Sequence, residues 1–309
     1  MKLGIVVVYL VNEDDEPLLD LHLKQIEKYT QVPYTIYGSA NRLLPKFRHK
    51  LEQQPNVMIC EVPNTELRNV AEHSHYLECL TKPAIEDGVS HVVTLHVDSF
   101  PVRLGWAEEL AQKLSETRVF ATIEPINTAC LFFHRDFYVQ YHPRFLLSDD
   151  EYSSPEFKQY LREFQPGVHS GIGFGFKAYT EGLSWYYLRE STKGHNRFGL
   201  VFDDLIFHLR GAVRIGGEPY VTPSFLNKHY AAVVENAAAV MRLIFKPRTR
   251  NLIRALFGLP IEHLLDRPRR VHAREQLETT KRRFVEDPEY YLNQLRDGQE
   301  VRRILNLSV

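Results

Sequence analysis

Asp98 closes the apolar, β-prone run HVVTL, two residues after His96, and Ser99 and Pro101 then break the strand. A carboxylate at the end of a buried strand is costly unless something pairs with it. In open α/β sheets that carboxyl edge is also where ligands bind. The partner that suits such a carboxylate is a divalent cation holding a diphosphate. On one strand, residues two apart share a face, so His96 and Asp98 are expected to look the same way. The plainer alternatives are an Asp that only ends its strand or caps the next helix, and a His that only packs at the rim.

A second acidic feature is GLVFDDLIFHLR, where Asp203 and Asp204 are expected to open a helix running to Leu209. The helix dipole favours acids there, and a capping pair explains one carboxylate better than two. A carboxylate held within hydrogen-bond reach of a hydroxyl can also deprotonate it. Histidines are scattered at His73, His75, His169, His195 and His229, without HExxH spacing. His73 and His75 lie two apart on an expected helix, so they cannot share one ligand face. His169 and His229, in expected loops, are better placed. Ser170 beside His169 is a further hydroxyl of interest. Gly171, Gly173 and Gly175 alternate in GIGFGF, which suggests close backbone packing. No Walker sequence is present and no GxGxxG follows the first strand, which weighs against a P-loop NTPase and a dinucleotide dehydrogenase.

The elements that must carry these residues alternate over the first ~125 positions, the pattern of a parallel sheet covered by helices. Strands are expected at GIVVVYL, PYTIYG, NVMICEV, HVVTLHV and RVFATI. Helices are expected over 16–29, 41–53, 65–86 and 102–116. ACLFFHRDFY reads as a strand entering a helix, 146–155 as an acidic loop, and 176–188 as a helix with an aromatic core stripe. VRIGGEPYVTP suggests one or two short strands. From Ala231 the chain reads as helical, amphipathic and basic, with Arg267, Arg269 and Arg270 among many cations.

With 309 residues the chain is long enough for one large domain with an appendage. The net charge of -1 gives no case for nucleic-acid binding. Cys60, Cys79 and Cys130 are odd in number and lack metal spacing, which fits a reducing compartment. MKLGIVVVYLVNEDDEP reads as a first strand rather than a signal peptide. No stretch approaches the ~20 apolar residues of a membrane span.

Taken in order, three segments resemble GT-A glycosyltransferases, particularly the inverting family 2. YLVNEDDEPLLDLHLKQI is similar to that family's first strand, Asn-Glu turn and first helix. LHVDSFPVRLGWAEEL resembles its DxD segment with the Gly-Trp helix that follows. VFDDLIFHLRGAV resembles its downstream acidic pair. The resemblance covers roughly residues 3 to 225. It implies that Asp98 holds the metal and diphosphate, that Asp204 is the general base, and that Asp203 is its neighbour on the acceptor side. It places Val11 and Glu13 beside the nucleotide base and His229 at a late metal-binding position, with His96 assisting. His96 stands where the motif has its first Asp. Gly38-Ser39 stands where the family has an Asp that touches the base, which makes Ser39 the residue at that contact.

The expectation is therefore an α/β, Rossmann-like GT-A fold: a mixed, mainly parallel sheet with flanking helices and a helical C-terminal appendage. The catalytic domain would span 1–230, with a nucleotide-sugar half over 1–125 and an acceptor half over 126–230. A basic helical region would occupy 231–309. The implied reaction is metal-assisted, inverting transfer, with Mn2+ or Mg2+, from a nucleoside diphosphate sugar to a glycan or other hydroxyl acceptor. The expected location is cytoplasmic, with peripheral contact at the inner face of a membrane, or a homo-oligomer, through the C-terminal helices. One rival is nucleotidyl transfer, which wants a Gly-rich basic loop where this chain has the acidic NEDDE. Another is a degenerate GT-A domain serving as a binding or assembly subunit.

Overall fold

The computed structural model describes residues 1–11, 16–41, 43–164, 169–191 and 200–209, with isolated helical positions between Val233 and Thr279. The chain divides into two compact units, Met1–Val213 with Arg283–Val309, and Arg214–Arg282. The expected domain boundary near residue 230, the strands expected in VRIGGEPYVTP and most of the basic region lie outside the described residues. Among the described residues, no helix is long and apolar enough to cross a membrane.

The first unit is built on a seven-stranded sheet. Its elements begin β1 (Leu3–Val8), α1 (Glu16–Tyr29), β2 (Tyr34–Ser39), α2 (Pro45–Glu52), β3 (Val57–Cys60), α3 (Asn69–Glu86) and β4 (His91–Leu95). They continue through β5 (Ser99–Pro101), α4 (Trp106–Gln112), β6 (Arg118–Ile123), β7 (Asn127–His134) and α5 (Arg135–Tyr141). Then come α6 (Asp149–Ser153), α7 (Pro155–Phe164), α8 (Ile172–Thr180), β8 (Ser184–Leu188), β9 (Leu200–Phe202) and β10 (Ile206–His208). The large sheet has the order β3-β2-β1-β4-β7-β6-β8, and a small sheet has the order β5-β10-β9. In the large sheet only β7 runs antiparallel to its neighbours. This is the mixed, mainly parallel sheet that the alternating pattern implies.

The strand order follows from the apolar patterning. Leu3, Ile5, Val6 and Val7 are fully buried, as a central parallel strand covered on both faces requires. Helix α1 buries Leu18, Leu19, His22, Gln25, Ile26 and Tyr29, spaced at helical period along one stripe. The chain steps outward from β1 through β2 to β3, and α3 then carries it back to β4 on the other side of β1. The strand order thus reverses between β1 and β4, and it is at the carboxyl ends of strands at such a reversal that open α/β sheets take ligands.

Three local expectations are corrected. The helix expected over 176–188 is split: α8 ends at Thr180, Gly182 turns the chain with φ 67°, and SWYYL forms edge strand β8. Glycine takes that left-handed turn without strain, and the aromatic run that follows suits a strand. The helix expected from Asp203 is a hairpin, β9 and β10, with Asp203 and Asp204 at its turn. Both residues have positive φ, 48° and 55°, and the Leu205 N–H donates to the Phe202 carbonyl at 2.9 Å. That is a type I′ turn, where Asp is tolerated as it is at a helix cap. The acidic loop expected over 146–155 contains the short α6, started by a capping box between Ser148 and Glu151. The close packing expected of the alternating glycines is present: a Cβ on Gly173 would overlap the Arg144 carbonyl.

Candidate functional site

Strand β4 stops at Leu95, and the next residues turn rather than extend. The Ser99 N–H donates to the His96 carbonyl at 2.9 Å, and the His96 N–H donates to Ser99 Oγ at 2.8 Å. Ser99 Oγ also donates to the Ala129 carbonyl at 2.7 Å, which ties the turn to β7. His96 and Asp98 therefore meet through a tight turn, not through the alternation of a strand. Strand β5 leaves this turn and pairs antiparallel with β10, so that His208 faces Ser99. The Leu209 N–H donates to the Asp98 carbonyl at 2.9 Å and locks that register.

These constraints bring two imidazoles to one buried carboxylate. Asp98 is 4% exposed and His208 5%. His208 Nε2 lies 3.7 Å from Asp98 Oδ1, and His96 Nδ1 lies 3.9 Å from the same oxygen. One ligand atom from each residue falls within 4.8 Å of the others. Ligand atoms on a single first-row ion at about 2.1 Å stand about 3.0–4.2 Å apart, so the group closes on an ion with small side-chain movements. Charge and geometry both fit a divalent cation.

The surroundings hold His96 in place. Its Nε2 is 3.1 Å from Thr128 Oγ1, and its ring meets that of His73 edge-on at 5.3 Å. His73 Nδ1 in turn lies 2.8 Å from Ser170 Oγ. Burial, then repulsion from His73, His208 and His22, holds His96 well below the ordinary histidine range. Burial alone pushes His73 down to about 4. His22 is also pushed down to about 4 by burial, partly opposed by its Nδ1–H bond to the Ser99 carbonyl at 3.0 Å. At neutral pH these rings are uncharged, with lone pairs available to a cation.

The other candidates fall in different places. Val11 follows β1, 4% exposed, and Ser39 ends β2, 1% exposed. Gly38 lies under the Tyr9 ring, where a Cβ would sit 2.6 Å from Tyr9 Cε2. Glu13, His195 and His229 lie outside the described residues. The structure does not bring Asp203 and Asp204 into the His96–Asp98–His208 group. They sit before β10, at the end of the strand away from His208, up to about 14 Å of extended chain away for Asp204 and about 17 Å for Asp203. Asp203 Oδ1 accepts the Arg189 N–H at 2.9 Å, and the Asp204 N–H donates to Ser191 Oγ at 2.7 Å. Beside this turn runs an open cleft of about 860 Å³ along β8, lined by Arg118, Glu124, Trp185, Tyr186, Tyr187 and Arg189 among others. Burial and a hydrogen bond to Asp203 push the Tyr186 hydroxyl up.

Sequence reasoning missed one residue of the group. His208 was hidden inside an expected helix, and only the β5–β10 pairing discloses it. His73 does not share a face with His75, yet it shares the site with His96. Ser170, singled out in the sequence, is the hydroxyl that engages His73.

No protein-family model and no curated protein sequence matches this chain. Structure comparison finds glycosyltransferases. Mouse xyloside xylosyltransferase 1 in its apo form is 9% identical with a TM-score of 0.37, over 61% of this chain and 85% of that one. The mannosyltransferase PcManGT from Pyrobaculum calidifontis, solved with GDP-Man and Mn2+, is 17% identical with a TM-score of 0.33, over 45% of this chain and 46% of that one. The glycosyltransferase GlyE of Streptococcus pneumoniae TIGR4 is 11% identical with a TM-score of 0.35, over 60% and 45% of the two chains. This chain thus spans about half the length of the second and third.

Proposed function

We propose that this chain is a glycosyltransferase that moves a sugar from a nucleoside diphosphate sugar to an acceptor hydroxyl, with inversion at the anomeric carbon. One observation carries the reading. A buried carboxylate and two imidazoles meet at the carboxyl end of β4, beside the point where the strand order reverses. Asp98, His96 and His208 would hold a divalent cation there, Mn2+ or Mg2+. Such an ion, when bound, neutralises charge on the departing diphosphate. Val11, Glu13 and Ser39 would line the part of this carboxyl edge that takes the nucleotide base.

Asp204 is the proposed base. The acceptor oxygen bonds to the anomeric carbon as the bond from that carbon to the diphosphate oxygen breaks, and the hydroxyl proton passes to the Asp204 carboxylate. Asp203, bonded to the Arg189 backbone, would orient the turn that presents Asp204. The aromatic side chains of the β8 cleft offer apolar faces on which an acceptor sugar can lie. The domain plan is a catalytic unit over 1–230 followed by a basic helical region over 231–309. For that basic region the sequence offers two roles, packing through its apolar residues or contact with an anionic membrane face at a cytoplasmic location. Salt-sensitive co-sedimentation with anionic liposomes would select the membrane role.

The test is release of nucleoside diphosphate from a panel of nucleotide sugars, with Mn2+ and with Mg2+, by the wild-type chain and by Asp98→Asn. Absence of release with every donor, with and without acceptors, would overturn the reading. A second reading, a binding or assembly subunit, draws on the engagement of Asp203 and Asp204 in the hairpin turn. A donor that raises Tm without any turnover would favour it.

A further inference from the structure

We propose that the β8 cleft takes an acidic saccharide as acceptor, with its carboxylate held by Arg118 and Lys113 at the amino end of β8. The proposal rests on reading this chain as a glycosyltransferase, and it names the class of sugar that the acceptor side accepts.

The distribution of charge is the first argument. The parallel register of β6 and β8 sets Arg118 beside Ser184 and Ile123 beside Leu188. Arg118 therefore stands at the amino end of β8, while Glu124 and Glu190 line the cleft at its carboxyl end. The five residues of β8 hold these ends about 13 Å apart. At the amino end two cations share one ring: Lys113 Nζ lies 5.1 Å from the centroid of Tyr186, and the Arg118 guanidinium carbon lies 5.7 Å from it. The face of the ring attracts each cation, while the cations repel each other. Among the described residues no carboxylate pairs with either of them. An anion that touched both would remove the repulsion, and a sugar carrying that anion could lie along the aromatic wall of the cleft.

The second argument is that the cationic end is built before any ligand arrives. Arg118 Nε donates to the Lys113 carbonyl, which fixes the guanidinium and leaves its two Nη groups for a bidentate carboxylate. The turn from α4 into β6 is closed by the Arg118 N–H, which donates to Ser115 Oγ at 3.0 Å, and by the Ser115 N–H, which donates to the Arg118 carbonyl at 2.9 Å. The Ser184 N–H donates to the Thr117 carbonyl at 2.8 Å and staples this turn to β8. Tyr186 links the two ends, because its hydroxyl donates to Asp203 in the turn that presents Asp204. The cations and the proposed base are thus spanned by a tyrosine side chain. That reach matches a carboxylate and a reacting hydroxyl on the same sugar ring or on neighbouring rings.

The test is titration calorimetry of the full chain, without donor, at low and at high salt. The probes are a glucuronate-containing hyaluronan tetrasaccharide, the same tetrasaccharide with its carboxyls reduced to alcohols, and an end-capped Glu-Glu dipeptide of equal charge. The acidic tetrasaccharide is expected to bind about tenfold or more tightly than the reduced one, and more weakly as salt rises. Arg118→Gln and Lys113→Gln should each weaken its binding by about tenfold. Arg118→Lys, which keeps the charge and loses the fork, should lose less, and it remains informative if Arg118→Gln fails to fold. Equal affinity for the acidic and reduced saccharides, no binding of either, or acid binding untouched by both changes would overturn the proposal. Equal affinity for the Glu-Glu dipeptide would reduce the cleft to an unselective anion surface and overturn it as well. Release of nucleoside diphosphate is measured in parallel, with each saccharide as acceptor. Release with neutral acceptors and no preference for acid would sink the acidic acceptor and leave the transferase reading standing. Acid-selective, Arg118-dependent binding without release from any donor would keep the saccharide site and sink the transferase reading.

Discussion

His208 and Ser99 face each other across the antiparallel pair β5 and β10, and this register sets His208 Nε2 3.7 Å from Asp98 Oδ1. Neither residue is near the other in sequence. The pairing joins an element of the small sheet to the carboxyl end of a strand in the large one.

Asp98 carries the negative charge of the group. Asp98→Asn keeps the shape and removes the charge, so the fold should persist while transfer falls by about 100-fold or more. Circular dichroism and a transfer assay on the same preparation check both halves. Turnover within a few-fold of wild type would remove Asp98 from the mechanism.

Asp204 calls for a substitution that spares the turn. Its φ of 55° suits Asn and Gly but strains other side chains. Asp204→Asn should therefore leave Tm close to wild type, keep donor affinity and reduce turnover by about 10²–10⁴-fold. Asp204→Val should lower stability by about 1–2 kcal/mol as well, through backbone strain. A collapse of donor affinity in Asp204→Asn with a high residual rate would refute the base assignment.

Gly38 lies beneath the Tyr9 ring with no room for a Cβ. Gly38→Ala should cost about 1–3 kcal/mol in a denaturant titration, and Tyr9→Ala in the same chain should recover part of that loss. Strictly additive effects of the two changes would show that the close approach is not the cause.

Acid should destabilise the protein before its carboxylates titrate. His22 is fully buried and its folded pKa is about 4, below the unfolded value of 6.5. Between these values the unfolded chain binds more protons, so stability falls as the pH drops through that window and is flat above it. The slope for one such histidine approaches about 1.4 kcal/mol per pH unit. Denaturant midpoints at pH 7.5, 6.5, 5.5 and 5.0 measure it, and His73 and His96, both shifted downward, add to it. A midpoint constant from pH 6.5 to 5.0 would contradict the burial of these rings.

The parts of the fold visible in the sequence are those that a single element encodes. The apolar run of β1 and the one-sided stripe of α1 state their own burial, and the turn after β4 announces itself through Asp98, Ser99 and Pro101. The missed parts depend on partners far along the chain. LIFH is a short apolar run whose periodicity suits helix or strand equally, and pairing with Ser99–Pro101 decides it. Paired aspartates suit a helix start and a type I′ turn alike. His73 needs α3 to be packed on the sheet before its neighbour His96 exists as a neighbour.

The two-aspartate turn of the β9–β10 hairpin has a consequence at the opposite end of β10. Side chains of a strand alternate between faces, so the turn acts as a phase setting for every residue after it. With three residues, Asp203, Asp204 and Leu205, between the paired Phe202 and Ile206, His208 arrives opposite Ser99 with its Nε2 3.7 Å from Asp98 Oδ1. One inserted residue that the strand absorbed by slipping would carry the imidazole to the other face, with no ligand altered in kind. The hairpin is thus a length gauge for the cation group, and tolerance to insertion at Asp203–Asp204 is governed by geometry at His208 as well as by chemistry at the turn.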